Sequence, residues 1–174
     1  MPSPDPISEP KAYQDHLLSL LGRDDPAEVQ AVTIDVLPAL VKEVGDALTT
    51  KPAEREWSVL ECIGHLTDAE IVYSGRYRWI LSHDMPPLIG YDQDLWVDAL
   101  HADDRNADEL IEVFTVLRRA NLALWRATGD AGKARVGMHS ERGPESFDLS
   151  FRLIAGHDRF HLKQARETLE AVVS

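Results

Sequence analysis

One cysteine, Cys62, stands in the whole 174-residue chain. A single thiol excludes an intrachain disulfide and argues against a cysteine-based zinc site. Cys62 lies in a helical pattern, where a small buried side chain is a simpler reading than a reactive thiol. Basic residues are also scarce: 18 Lys and Arg against 30 Asp and Glu give a net charge of −12. Such a chain repels phosphate backbones, and no face gathers its lysines and arginines, so nucleic acid is not an expected partner. Long hydrophobic runs are missing too. No uninterrupted apolar stretch approaches the ~18 residues of a membrane span, and the opening Met1-Pro2-Ser3-Pro4-Asp5-Pro6 has neither a basic n-region nor an apolar h-region. The expectation is no membrane partner and a cytoplasmic location. Internal repeats, low-complexity tracts and convincing strand alternation are equally absent.

What remains is an ordinary globular composition, 44% hydrophobic and 28% charged, over a length suited to one domain spanning residues 1–174. Residues 1–10 carry four prolines and read as a flexible lead-in. A short helix fits 13–21, ending at Gly22. Asp25-Pro26-Ala27-Glu28 is a helix start, with Asp25 as cap, Pro26 at the first helical position and Glu28 three residues after the cap. Val29, Val32, Val36, Leu40, Val44 and Leu48 follow at helical spacing, giving a helix over about 26–48 that contains Pro38. A second long helix is expected over about 58–81, and a third from Asn106 or Asp104 to just before Gly129. The connection over 82–105 is long enough to act as a crossover, with one turn near Leu95–Leu100, and it would leave those two helices parallel. Residues 128–145 read as a loop, and a last helix covers about 147–172. Amphipathic helices without strands point to an all-α four-helix bundle.

The last helix holds the most informative stretch, Ile154-Ala-Gly-His157-Asp-Arg-Phe-His161-Leu-Lys-Gln164. With Ile154 at zero on a helical wheel, His157 falls at about 300° and His161 at about 340°, beside Leu153, Phe160, Gln164 and Thr168. Two imidazoles four residues apart on an inward face can share one metal ion. They can equally be core histidines satisfied by carboxylates or carbonyls. His65 sits on a flank of its helix with Glu61, Asp68 and Val72, which permits solvent exposure. Glu70 falls inside the apolar stripe and needs a partner there, an arginine or a histidine. Asp158 reads as an outward-facing or capping residue. Histidines at 16, 83, 101 and 139 lie near helix ends or in loops, where a solvated imidazole is the default; His139 stands out within Gly137-Met-His-Ser140.

Several pieces, in order and with sensible gaps, carry a resemblance. They are Trp57-Ser58 followed by His65-Leu66-Thr67-Asp68-Ala69-Glu70, then Arg76 with Arg78, then Asp84-x-Pro-Pro-Leu and Tyr91-Asp-Gln-Asp-x-Trp96, and last His157-Asp158-x-x-His161-Leu162-x-Gln164. This set resembles the DinB-like superfamily, which includes YfiT-type metal-dependent hydrolases and thiol-dependent S-transferases. The resemblance implies an up-down-down-up bundle and one divalent metal held by His65, His157 and His161. It also implies a homodimer and a small-molecule substrate.

Three imidazoles leave a divalent ion with at least one open position, as in catalytic centres. Zinc is the first expectation and nickel the second; spacing does not choose. A metal-bound water would serve a hydrolase, and a metal-bound thiolate from a low-molecular-weight thiol such as bacillithiol or mycothiol would serve an S-transferase in stress or detoxification. Catalytic side chains are not assigned. Asp68 is a candidate base or hydrogen-bond acceptor, Gln164 a candidate ligand contact, and Glu70 with Arg76 a structural ion pair. The competing reading is a non-catalytic, stress-associated bundle or dimer whose metal is closed off by a fourth ligand from Asp68, Glu70 or His139.

Overall fold

Helix-start chemistry places the bundle's helices where the sequence puts them. In the computed structural model, which describes residues 4–101 and 106–173, Asp25 accepts from the backbone N–H of Ala27 at 2.7 Å and of Glu28 at 3.2 Å, and opens α2 (Pro26–Val44). Ser58 and Glu61 form a reciprocal capping box that opens α3 (Val59–Ser82): Ser58 Oγ accepts from Glu61 N, and Glu61 Oε2 accepts from Ser58 N. Asn106 caps α5 (Ala107–Ala127), and α7 runs over Phe147–Val173. These four make the bundle. Before them comes α1 (Pro10–Leu21), and the crossover after α3 contains α4 (Gln93–Leu100). In the lead-in, residues 1–3 lie outside the described residues, and Asp5 closes a turn by accepting from Ile7 N and Ser8 N.

Contacts between helices give their directions. Along α3 and α5 the pairs Thr67–Leu110 and Ser74–Asn121 ascend together, so these helices are parallel. Gln30–Phe151 and Thr33–Asp158 make α2 and α7 parallel in the same way. Between α3 and α7 the order reverses: His65 meets His157, whereas Tyr77 meets Phe147. The topology is up-down-down-up, with the crossover between α3 and α5 returning the chain to the end where α3 began.

Two expectations about secondary structure need correction. The helix expected to reach residue 48 ends at Val44 and continues only as a 3₁₀ turn over Gly45–Ala47. The loop expected over 128–145 instead folds as α6 (Asp130–Lys133) and a hairpin of β2 (Val136–His139) and β3 (Gly143–Ser146). β1 (Pro87–Leu88), from the crossover, pairs parallel to β2 with Leu88 opposite His139. Strands this short carry too few alternations to register as period-two patterns. Their effect is local but consequential, because they tie the crossover to the bundle and carry His139 inward.

Among the described residues the interior has three apolar clusters, a small one where Tyr13 and Leu17 of α1 meet Leu153 of α7 and two larger ones inside the bundle. Around the C-terminal half of α3, Tyr77, Trp125, Phe147 and Phe151 pack together, with Trp125 stacked on Phe151 at 4.1 Å. Around its N-terminal half, Leu37, Leu40, Ile63, Leu66, Phe114 and Leu169 form the second. Between them lies a buried polar node. Arg118, only 1% exposed, donates from Nε to Glu70 at 2.9 Å and from Nη2 to Asp158 at 3.0 Å, and its Nη1 reaches the other Asp158 oxygen and Gln30 O. Asn121 completes Glu70 at 2.7 Å, and Thr33 completes Asp158 at 2.8 Å. Every bundle helix contributes. The pairing expected between Glu70 and Arg76 is therefore replaced by Glu70 with Arg118, and Asp158 is buried rather than outward.

Removing Arg118 would strand two buried carboxylates. An Arg118→Met protein is expected to lose about 3–5 kcal/mol of unfolding free energy, measurable by urea denaturation. A loss below about 1 kcal/mol would show that the node is not a stabilising pair.

Candidate metal centre

The capping box that starts α3 and the charged node that fixes α7 against it set the positions of three histidines. His65 lies between the cap and Glu70, and His157 directly precedes Asp158. His65 Nε2 and His157 Nε2 stand 2.9 Å apart, and one ligating nitrogen from each of His65, His157 and His161 lies within 4.8 Å of the other two. All three residues are buried. The flank position of His65, compatible with exposure in an isolated helix, is covered by Trp57, whose ring is 5.0 Å from His65 and stacks on His161 at 5.7 Å.

Close backbone approach makes room for the cluster. A Cβ on Gly156 would stand 2.0 Å from the Leu17 carbonyl oxygen, so α1 docks on α7 only because position 156 has no side chain. Gly64 plays the same part beside His65, with the His101 ring 2.4 Å from where its Cβ would be. His101, expected to be solvated, is buried there and bonds Asp68 at 2.6 Å. Asp68 thus serves His101 rather than His65, and Glu70 serves the Arg118 node. Neither carboxylate belongs to the three-histidine group.

Protonation states suit ligation. Burial pushes the imidazoles of His65 and His157 well below the usual histidine range, and their neighbouring histidines push the same way. Burial also lowers His161, to about 4, against the opposing pull of its hydrogen bond to Gln164. All three are neutral near pH 7. Gln164 Oε1 lies 2.8 Å from His161 Nδ1, an arrangement in which Nδ1 carries the proton and Nε2 keeps its lone pair. That Nε2 has no hydrogen-bond partner. Two nitrogens on one tetrahedral ion at 2.0–2.1 Å stand about 3.3 Å apart, so the His65–His157 pair needs only a few tenths of an ångström of opening. The donor set fits a divalent cation. A fit of this kind is less usual for a core pair, which would bond to carbonyls or carboxylates.

The cluster sits between two clefts. One, about 70 Å³, has His157, Arg76, Tyr91 and His139 in its walls. The other, about 290 Å³, has His161, Gln164 and Trp57 in its walls. Tyr13, Pro6 and Gln93 border both. His139 shares the first cleft with His157 yet stands outside the three-histidine group, so no fourth protein ligand completes that group among the described residues.

A family model for the DinB superfamily matches residues 31–165. The chain belongs to the DinB superfamily. Among solved structures it is similar to YfiT from Bacillus subtilis, described as a probable metal-dependent hydrolase with an unusual four-helix bundle topology. The TM-score is 0.72 at 21% identity, over 91% of this chain and 86% of that one, a likeness of fold. Curated proteins offer no match. Within this DinB-superfamily bundle, Arg118 and Asp158 are the residues that sequence reasoning missed. The signal for Arg118 was positional: Ile111, Phe114, Arg118, Asn121, Leu122 and Trp125 follow one stripe, and an arginine in such a stripe must be buried with its counter-charges.

The histidine shifts give a signed pH dependence. Unfolded, these imidazoles titrate near 6.5, whereas folded they resist protonation, His161 down to about 4. Stability is thus fully present above pH ~6.5 and is lost as pH falls toward ~4. The melting temperature of chelator-treated protein should drop through that window in a circular-dichroism series. A flat profile would mean the imidazoles are not held neutral.

Proposed function

We propose that this protein is a metal-dependent enzyme that acts on a small molecule through one divalent ion held by His65, His157 and His161. The observation that carries this reading is the three-histidine group itself: buried, neutral, joined by no carboxylate, and bordered by a cleft on each side. A structural site would be closed by a fourth protein ligand. When bound, a divalent ion supplies Lewis acidity, lowering the pKa of a coordinated water and deprotonating a coordinated thiol.

The chain's own groups do the rest. Gln164 orients His161 and fixes its tautomer, and Trp57 shields His161 and His65 from solvent on the side of the larger cleft. Gly156 and Gly64 let α1 and His101 close over the other sides. Hydrolysis of an ester or amide, or transfer of a bacillithiol- or mycothiol-like thiol onto an electrophile, are the two reactions this arrangement serves. Zinc is the proposed ion and nickel the second choice, since imidazole ligands accept both. No helix among the described residues is long and apolar enough to cross a membrane. The acidic balance of −12 disfavours nucleic acid. A cytoplasmic, homodimeric enzyme of stress or detoxification chemistry completes the proposal.

Metal analysis of wild type and His161→Ala tests it. Wild type is expected to hold about one divalent ion per chain and the variant far less, with the helical circular-dichroism signal kept in both. Equal metal in the two proteins would overturn the ligand set. Wild type should also turn over members of an ester, amide and thiol-acceptor panel. A metal-loaded wild type inert to all of them would favour the non-catalytic, stress-associated bundle.

A further inference from the structure

The smaller cleft has a chemical character of its own. Arg76 is 2% exposed, yet it enters no ion pair among the described residues. One of its Nη atoms donates to Ile89 O and its plane lies 4.7 Å over the Tyr73 ring, but Nε–H has no partner. Glu145 feels the Arg76 charge only at a distance, with no bond between them, and a buried guanidinium that no carboxylate touches is costly unless something anionic meets it. His139 adds a second donor. Its Nδ1 accepts from Glu141 N at 3.2 Å and from Arg142 N at 3.4 Å, which places the ring proton on Nε2, and that buried N–H is also unpartnered. The Tyr13 hydroxyl is a third buried polar group without a partner. All three residues border the cleft that reaches His157.

Acidic groups near the cleft do not cancel this. Glu145 is taken by Arg142 at 2.7 Å and by Ser150 at 2.6 Å. Glu141 stands at the exposed rim, where its charge is screened. Two obligate donors, one of them cationic, call for an acceptor that carries negative charge. The volume, about 70 Å³, is that of about two waters in the liquid, a space suited to a small oxyanion group.

We propose that the cleft formed by Arg76, His139 and Tyr13 binds the oxyanion group, a carboxylate in the first instance, of the small molecule on which the enzyme acts. The substrate is then an acid whose reacting bond lies toward His157, with its charged end anchored on Arg76. This rests on the proposed metal-dependent activity for the reaction but not for the binding.

The test is ligand binding by calorimetry, with propionate, inorganic phosphate and the neutral isostere propionamide as probes. Four proteins are compared, wild type, Arg76→Gln, Arg76→Lys and His161→Ala, and the metal content of each is measured beforehand. Propionate is expected to bind wild type and His161→Ala alike, and to bind Arg76→Gln at least about tenfold more weakly. Arg76→Lys should recover part of the loss, and propionamide should not bind. Phosphate tighter than propionate would identify the oxyanion as a phosphoryl group and overturn the carboxylate assignment alone. Propionate that binds Arg76→Gln normally, or that disappears with His161→Ala, would overturn the subsite, because the ligand would then sit on the metal. Should Arg76→Gln fail to fold, wild type binding propionamide as well as propionate overturns it equally. Metal without propionate binding sinks only this inference; propionate binding without metal sinks only the proposed activity.

Discussion

A single buried cation governs how this bundle closes. Arg118 cannot shed its charge and cannot reach water, so carboxylates must come to it. Glu70 arrives from α3 and Asp158 from α7, while α2 supplies Gln30 O directly and Thr33 through Asp158. The two apolar clusters on either side would tolerate some sliding of helix on helix. The directional bonds of the node do not. Because His65 lies a short way before Glu70 and His157 directly before Asp158, the register set by Arg118 is also the register of the candidate metal site.

Around that register the chain removes what would be in the way. Gly64 and Gly156 each precede a histidine of the cluster, and each gives up its side chain to a neighbour, the His101 ring in one case and the end of α1 in the other. The result is a dry pocket of neutral imidazoles beside a cleft rich in donors. Burial has opposite consequences for these groups. It keeps the imidazoles uncharged and available as ligands, whereas the guanidinium of Arg76 stays charged and in need of an anion. A metal ion and an anionic substrate are complementary answers to the two conditions.

Much of this was legible along the chain. Asp25, Ser58 and Asn106 mark helix starts through local hydrogen bonding that needs no tertiary context. The pair His157 and His161 shows its inward face through spacing alone. The small hairpin was not legible, since strands of four residues leave no periodic trace. Neither was the pairing of buried charges. Glu70 announces that it needs a partner, yet both Arg76 and Arg118 are available along the chain, and only the packing of α5 against α3 gives it Arg118. His101 and Asp68 meet across a crossover whose path no local pattern encodes.

The residues by themselves determined the helices, their buried faces and the family to which the bundle belongs, because these follow from periodicity, capping and ordered motifs within short range. Tertiary structure alone decided that His65 turns inward beneath Trp57, that Asp158 is buried with Arg118, and that His139 reaches the cleft beside His157. Each depends on what a neighbouring segment, distant along the chain, brings within a few ångströms of it. An amphipathic pattern says which side of a helix is dry; it does not say which charge will be waiting there.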